Sequence, residues 1–184
     1  MSGDAPSAHR AYAPASVGCA VLTVSDSRTL ADDSSGKLIA EYLAAAGHRA
    51  LARAIVPDQA DEIRLAVLRA LARSDIAAVI ATGGTGVSPR DVTPEAVEPL
   101  LDKPLAGFGE IFRMLSFQEI GAAALLSRAL AGTSAGKVVF VLPGSSGAVR
   151  LGMERLIVPE LAHVVGQLRR ADAPPSGHRE AHRK

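Results

Sequence analysis

Four short stretches carry the residues whose types and spacing could do chemistry. They are Ser25-Asp26-Ser27-Arg28, Pro57-Asp58, Gly83-Gly84-Thr85-Gly86 with Asp91 just beyond, and Pro143-Gly144-Ser145-Ser146-Gly147. Glycine lets a backbone approach a ligand closely and turn successive N–H groups toward it, which makes a nest for anions. A helix N-terminus following such a loop adds about half a positive charge, which favours phosphate. Carboxylates beside phosphate repel it unless they hold Mg²⁺, which takes one or two carboxylates together with phosphate oxygens and waters. The combination is suited to a Mg-nucleotide or another polyphosphate.

Each stretch also has a plainer reading. Gly83–Gly86 alone could be a strand-to-helix turn, and it matches neither a Walker A loop nor GxGxxG. Asp58 sits where a helix N-cap belongs, with Asp61 three residues on as a weak capping box. Asp91 lacks that explanation, because Thr93 can fill the cap position with Pro94 first in the helix. Asp26, Asp32 and Asp33 are loop acids suited to solvation or capping, and Ser145 and Ser146 are ordinary N-cap residues with phosphate contact as an added role. No G-x-S-x-G elbow is present, and His48 and His163 both fall in helical surroundings, which argues against a Ser-His-Asp triad. No His-Glu-x-x-His or Cys/His pairing points to zinc. Without a good nucleophile, direct in-line transfer between bound substrates fits better than a covalent intermediate.

These stretches need elements to position them. Apolar runs at 17–24, 50–56 and 76–82 are predicted strands, alternating with amphipathic helices over 34–46 and 59–73. Strand, helix, strand, helix, strand with short connections implies a parallel sheet with helices on its faces. The second half is less regular. A helix is predicted from Thr93 to about Leu101, another around 107–117, a hairpin from 124–132 and 137–142, and helices near 146–157 and 159–169. The hairpin makes one strand run against the others. All four loops then follow strands, and ligands of open α/β sheets bind outside the carboxyl ends of strands.

Composition bounds the function. The chain of 184 residues, 48% hydrophobic with no Trp, four Phe and two Tyr, suits one domain of aliphatic layers rather than an aromatic platform for single-stranded nucleic acid. A net charge of +1 supplies no field that would draw DNA or an acidic membrane. The single cysteine, Cys19, lies in an apolar run and is expected to be a small buried hydrophobe. No apolar stretch is long enough to span a bilayer and no signal peptide opens the chain, so a soluble cytoplasmic protein is expected. Residues 1–16 and 171–184, rich in Pro, Ala and polar residues, are expected to be disordered tails around a single domain at 17–170.

The motifs taken together carry a resemblance. "TGGTG" followed by "RDVTPEA", with "PD" opening the preceding helix, resembles the molybdopterin adenylyltransferases of molybdenum cofactor biosynthesis. "VSDSRTLADDSSG", "GFGEIFRMLSFQEIG", "LLSRALAG" and "LPGSSGAV" are similar to the MoaB branch in particular, and the likeness covers about residues 16–168. The resemblance implies a three-layer α/β/α fold with a mostly parallel sheet and one antiparallel strand. It also implies a homotrimer or homohexamer and Mg²⁺-dependent transfer of AMP from ATP to the terminal phosphate of molybdopterin. The product would go on to a separate metal-inserting protein. The family's two important aspartates fall on Asp58 and Asp91, its nucleotide-cradling residues on Gly83, Gly84, Thr85 and Gly86. Its first-loop serine falls on Ser25, beside Asp26, and its Pro-Gly-Ser loop on Pro143, Gly144 and Ser145. Two other functions remain open on the same fold: a nucleotide pyrophosphatase like the related domain of competence/damage-inducible proteins, and a non-catalytic molybdopterin-binding scaffold.

Overall fold

The computed structural model describes residues 12–170. Six strands form one mixed sheet in the order β2-β1-β3-β6-β5-β4. They are β1 (Gly18–Val24), β2 (Arg49–Val56), β3 (Ala78–Thr82), β4 (Lys103–Pro104), β5 (Leu130–Ser134) and β6 (Lys137–Leu142). The pairs β1–β2, β1–β3 and β3–β6 are parallel, whereas β5 runs antiparallel to both its neighbours. Side chains alternate across the pleat. Cys19, Val21, Ile80, Val138 and Phe140 pack on one face beneath α1 (Ser34–Ala45), α4 (Ala106–Ile120), α5 (Ser146–Gly152) and α6 (Val158–Arg170). Ala20, Leu22, Val79 and Val141 pack on the other beneath α2 (Ala60–Ala72) and α3 (Thr93–Val97). The result is the expected three-layer α/β/α fold with a mostly parallel sheet and one antiparallel strand.

The first half follows the periodicity closely; the second departs from it in three places. Residues 124–126 of the expected hairpin belong to a 3₁₀ helix, Gly121–Leu126, and the strand begins only at Leu130. A short apolar run is compatible with either conformation, and of this one Ala124 alone is buried. The helix expected to reach Leu101 stops at Val97 and tightens into a 3₁₀ turn, Glu98–Leu100, at Pro99, which has no N–H for the α ladder. The two C-terminal helices are one continuous rod. A π-helical segment, Met153–Ile157, joins them, with the Val158 N–H donating to the Met153 carbonyl. This wide turn sits directly before Pro159, where the α ladder would miss a donor.

Residues 12–16, counted with the N-terminal tail by composition, lie against α6: a Cβ on Gly166 would fall 2.7 Å from the Tyr12 carbonyl, and the Arg170 guanidinium stands over the Tyr12 ring at 5.4 Å. The remainder of that stretch, 1–11, and the expected tail at 171–184 lie outside the described residues. Cys19 is fully buried, and burial pushes its thiol up to about 12, which keeps it an inert core residue. His48 is not helical but lies between α1 and β2, where its Nδ1 accepts the Val17 N–H at 3.3 Å.

Candidate active site

All four stretches lie at the carboxyl edge of the parallel strands, following β1, β2, β3 and β6. The chain passes from β1 over one face of the sheet to β2 and returns over the other face to β3, so β1 and β3 flank a topological switch point. The loops are stitched together there. Ser25 N–H donates to the Val56 carbonyl at 2.9 Å and Gly83 N–H to the Leu142 carbonyl at 3.1 Å. Thr82 Oγ1 donates to Pro143 O at 3.0 Å, and Ser35 Oγ to Gly144 O at 2.9 Å.

The glycines are demanded by close approach. Gly83 (φ 100°) and Gly84 (φ 62°) occupy left-handed backbone conformations that other residues resist. A Cβ on Gly83 would fall 2.3 Å from the Val24 carbonyl, and one on Gly84 would meet Thr93 Oγ1 at 2.4 Å and Asp58 Oδ1 at 2.9 Å. At Gly86 it would meet Asp91 Oδ2 at 2.7 Å. The loop therefore lies flat against both carboxylates, which no residue larger than glycine would allow.

Several side chains have different tasks from those their positions suggested. Thr93 is the first helical residue; Val92 is the N-cap, and the buried Thr93 hydroxyl has no partner. Asp91 Oδ2 accepts the Ser88 N–H at 3.0 Å, so this carboxylate does shape its own loop. Asp58 is not a cap either. Gln59 holds that position without a side-chain bond, and Asp61 pairs with Arg64 instead of reaching back. Asp26 is exposed, as expected of a loop acid, but it caps no helix: Oδ1 accepts the Asp58 N–H at 3.0 Å and Oδ2 pairs with Arg90, joining three loops. Asp33 does cap α1, accepting from Gly36 N–H at 2.8 Å, and Ser145 caps α5, accepting from Ala148 N–H at 3.2 Å. Ser25 Oγ accepts from the Ser27 and Arg28 N–H groups, both at 3.3 Å.

A cleft of about 420 Å³ opens along this edge. One wall is the glycine loop with Asp91 and Pro143–Ser145; Ser25, Asp26 and Asp58 stand outside the cleft lining. The opposite wall comes from α4 and the 3₁₀ helix, with Phe112, Ser116, Ile120, Leu126 and Ser127. Sequence reading missed this wall. The only local signal for it was the polar Ser127-Arg128 pair interrupting an apolar run. Ser127 Oγ is buried without a protein partner.

Burial raises the Asp58 pKa, and the nearby negative charges of Asp91 and Asp26 raise it further, against the Val92 N–H and Arg90. Asp26 is held low, first by the Asp58 N–H and then by Arg90, against its desolvation. Asp58 Oδ1 has no hydrogen-bond partner. An orphaned oxygen on a carboxylate crowded by like charge is a place for a cation. Among the described residues no group of three or more His, Cys, Asp or Glu could cage a metal ion. The donor set fits Mg²⁺, which needs only one or two carboxylates and shares its remaining positions with phosphate and water.

Known proteins share this fold and much of this sequence. The model of a family described as a probable molybdopterin binding domain matches residues 20–163. The chain is 52% identical over 163 residues to molybdenum cofactor biosynthesis protein B of Bacillus subtilis (strain 168), covering 88% of this chain and 96% of that one. It is also 52% identical over 161 residues to the protein of the same name from Halalkalibacterium halodurans, covering 87% and 95%. A crystal structure of a molybdenum cofactor biosynthesis protein B, 52% identical, superimposes with a TM-score of 0.84 over 86% of this chain and 99% of that one. The tungsten cofactor synthesizing protein MoaB from Pyrococcus furiosus, 41% identical, gives 0.77 over 85% and 99%.

Proposed function

We propose a function from one premise: the chain belongs to the family of probable molybdopterin binding domains. It acts in molybdenum cofactor biosynthesis as a cytoplasmic molybdopterin adenylyltransferase, moving AMP from Mg-ATP to the terminal phosphate of molybdopterin. An oxygen of the pterin phosphate bonds to the α-phosphorus of ATP while the bond to pyrophosphate breaks. The adenylylated pterin then passes to a separate metal-inserting protein.

The observation that carries this reading is the glycine loop lying flat on Asp58 and Asp91 while it lines the cleft together with Asp91. Mg²⁺ held by Asp58 and Asp91 would screen the phosphates and make the α-phosphorus more electrophilic. Backbone N–H groups of Gly83–Gly86 bind phosphate oxygens, and the Pro143–Ser145 loop holds a phosphate of the pterin or nucleotide. Phe112 and Ile120 give a ring system an apolar wall and exclude water from the transfer.

Six large apolar side chains on α4 and the 3₁₀ helix are exposed: Ile111, Met114, Phe117, Ile120, Leu125 and Leu126. A patch of this kind supports assembly as a homotrimer or homohexamer. The decisive test of the reaction is incubation of the full chain with molybdopterin, ATP and Mg²⁺, followed by detection of adenylylated pterin. Asp91→Asn is expected to lower the rate by about 100-fold. No product with the unaltered chain would overturn the proposal, and AMP released from a dinucleotide without pterin would replace it with a pyrophosphatase.

A further inference from the structure

We propose that Arg128 is the positioning residue of this site, a guanidinium cross-tie that sets the backbone of the Gly83–Val92 loop and, through it, Asp58 and Asp91. The significance for catalysis rests on the adenylyltransferase reading; the geometry does not. Arg128 leaves the chain between the 3₁₀ helix and β5, next to Ser127 of the wall opposite the glycine loop. Its Nε donates to the Thr85 carbonyl at 3.2 Å and its Nη2 to the Asp91 carbonyl at 2.7 Å. Its Nη1 pairs with Glu95 on α3. One side chain thus grips both ends of the loop and the helix that follows.

In a trans peptide the C=O and the next N–H point in opposite directions. Holding the Thr85 carbonyl therefore fixes the Gly86 N–H, and holding the Asp91 carbonyl fixes the Val92 N–H. The Val92 N–H is directed at the Asp58 carboxylate and lowers its pKa. Arg128 consequently anchors Asp91 through its own main chain and Asp58 through the next peptide group.

Such a tie is needed here. Asp58, Asp91 and Asp26 repel one another, and Gly83, Gly84 and Gly86 contribute no side chains to stiffen the loop. The guanidinium is a rigid fork that spans two carbonyls at a set separation; a lysine ammonium is a point charge on a flexible stem. Its contacts to the loop are to main-chain oxygens, so there Arg128 acts by placing groups and not by neutralising the aspartates.

The test uses the full chain as Arg128→Ala, Arg128→Lys and Glu95→Gln. Two amides report the loop directly: Thr93 N–H, bonded to Gly84 O at 3.0 Å, and Asp91 N–H, bonded to Ser88 O at 2.9 Å. In Arg128→Ala their hydrogen-exchange protection is expected to fall at least ~10-fold, while the melting temperature moves by no more than about 5 °C. Its kcat for adenylyl transfer is expected to fall on the order of 100-fold, the scale of a misplaced reacting group, with the KM for Mg-ATP changing far less. Arg128→Lys recovers only part of both losses, added guanidinium restores activity to Arg128→Ala, and Glu95→Gln stays near the unaltered chain. Unchanged exchange and kcat in Arg128→Ala would overturn the proposal, as would full recovery by lysine, which would mean that charge alone suffices. If Arg128→Ala fails to fold, Arg128→Lys decides by the same two readouts. If the unaltered chain transfers no adenylyl group, the functional reading falls, and the exchange measurement still decides the role of Arg128.

Discussion

Asp58 combines two opposed demands on one carboxylate. Its pKa is raised by burial and by like charge, so its protonated form is the one the fold favours. A carboxyl raised in the folded state adds stability that is fully present below its unfolded pKa and is lost as pH rises through the folded value. At neutral pH the ionised group is a cost that the fold carries. Asp58→Asn is therefore expected to melt higher than the unaltered chain at pH 7, with the gap closing under acid, while adenylyl transfer is lost. Thermal melts across pH check the sign, and an asparagine variant that melts lower at pH 7 would contradict it. The glycines make a second residue-scale case. Gly84→Ala places a Cβ in a left-handed backbone conformation and against Thr93 and Asp58. It is expected to cost about 1–3 kcal/mol in denaturant unfolding and to displace the carboxylate. Asp58 and Asp91 were legible as candidates from residue type and position, but for partly wrong reasons. Thr93 does not cap its helix, so the absence of another task for Asp91 did not follow; the acid also holds the Ser88 turn.

Among the elements, α4 has two apolar sides. Phe112 faces the core and the cleft, while Ile111, Met114 and Phe117 face outward. A helix buried on one side only would carry polar residues there. Phe117→Asp is expected to convert the homo-oligomer into smaller species in sedimentation velocity without a large change in helix content. A monomeric unaltered chain would end the oligomer proposal. The rod from α5 to α6 makes a related point, since the period of its apolar positions was legible and its continuity was not. The sequence suggested separate helices near 146–157 and 159–169, and a π-helical segment before Pro159 joins them. Strand β4 is two residues long, too short for any period to announce. Its place is set by pairing of Lys103 and Pro104 with Thr133 and Gly132.

Across the whole molecule, the site is assembled from loops up to about 120 residues apart in sequence, from Ser25 to Ser145. Its integrity is therefore tied to global folding, and a ligand that bridges the loops should stabilise the entire domain. At about 100 times its Kd, Mg-ATP would add roughly 2.7 kcal/mol, or about 5–10 °C in melting temperature for a domain of this size. Differential scanning calorimetry with ATP plus Mg²⁺ and with ATP plus chelator checks this; equal shifts in the two would remove Mg²⁺ from the site. Among the described residues no helix is long and apolar enough to cross a membrane.

The sequence by itself determined the parallel half of the sheet and the edge where the polar loops gather. These follow from local periodicity and from the rule that short strand–helix–strand units wind one way. The glycine turn and its two aspartates were marked by residue type alone. Only the tertiary structure decided what each does: that Gly84 and Gly86 exist to admit the carboxylates, and that Asp26 ties three loops. It also decided that the far wall of the cleft comes from α4 and the 3₁₀ helix up to Ser127, with Arg128 beside it tied to Asp91. The ties made by Asp26 and Arg128 depend on contacts between residues 32 to 64 apart in the chain, Asp26 with Asp58 and Arg90, and Arg128 with Asp91. Local pattern has no access to such distances, because the spacing of two residues along a chain does not say which faces of their elements will meet.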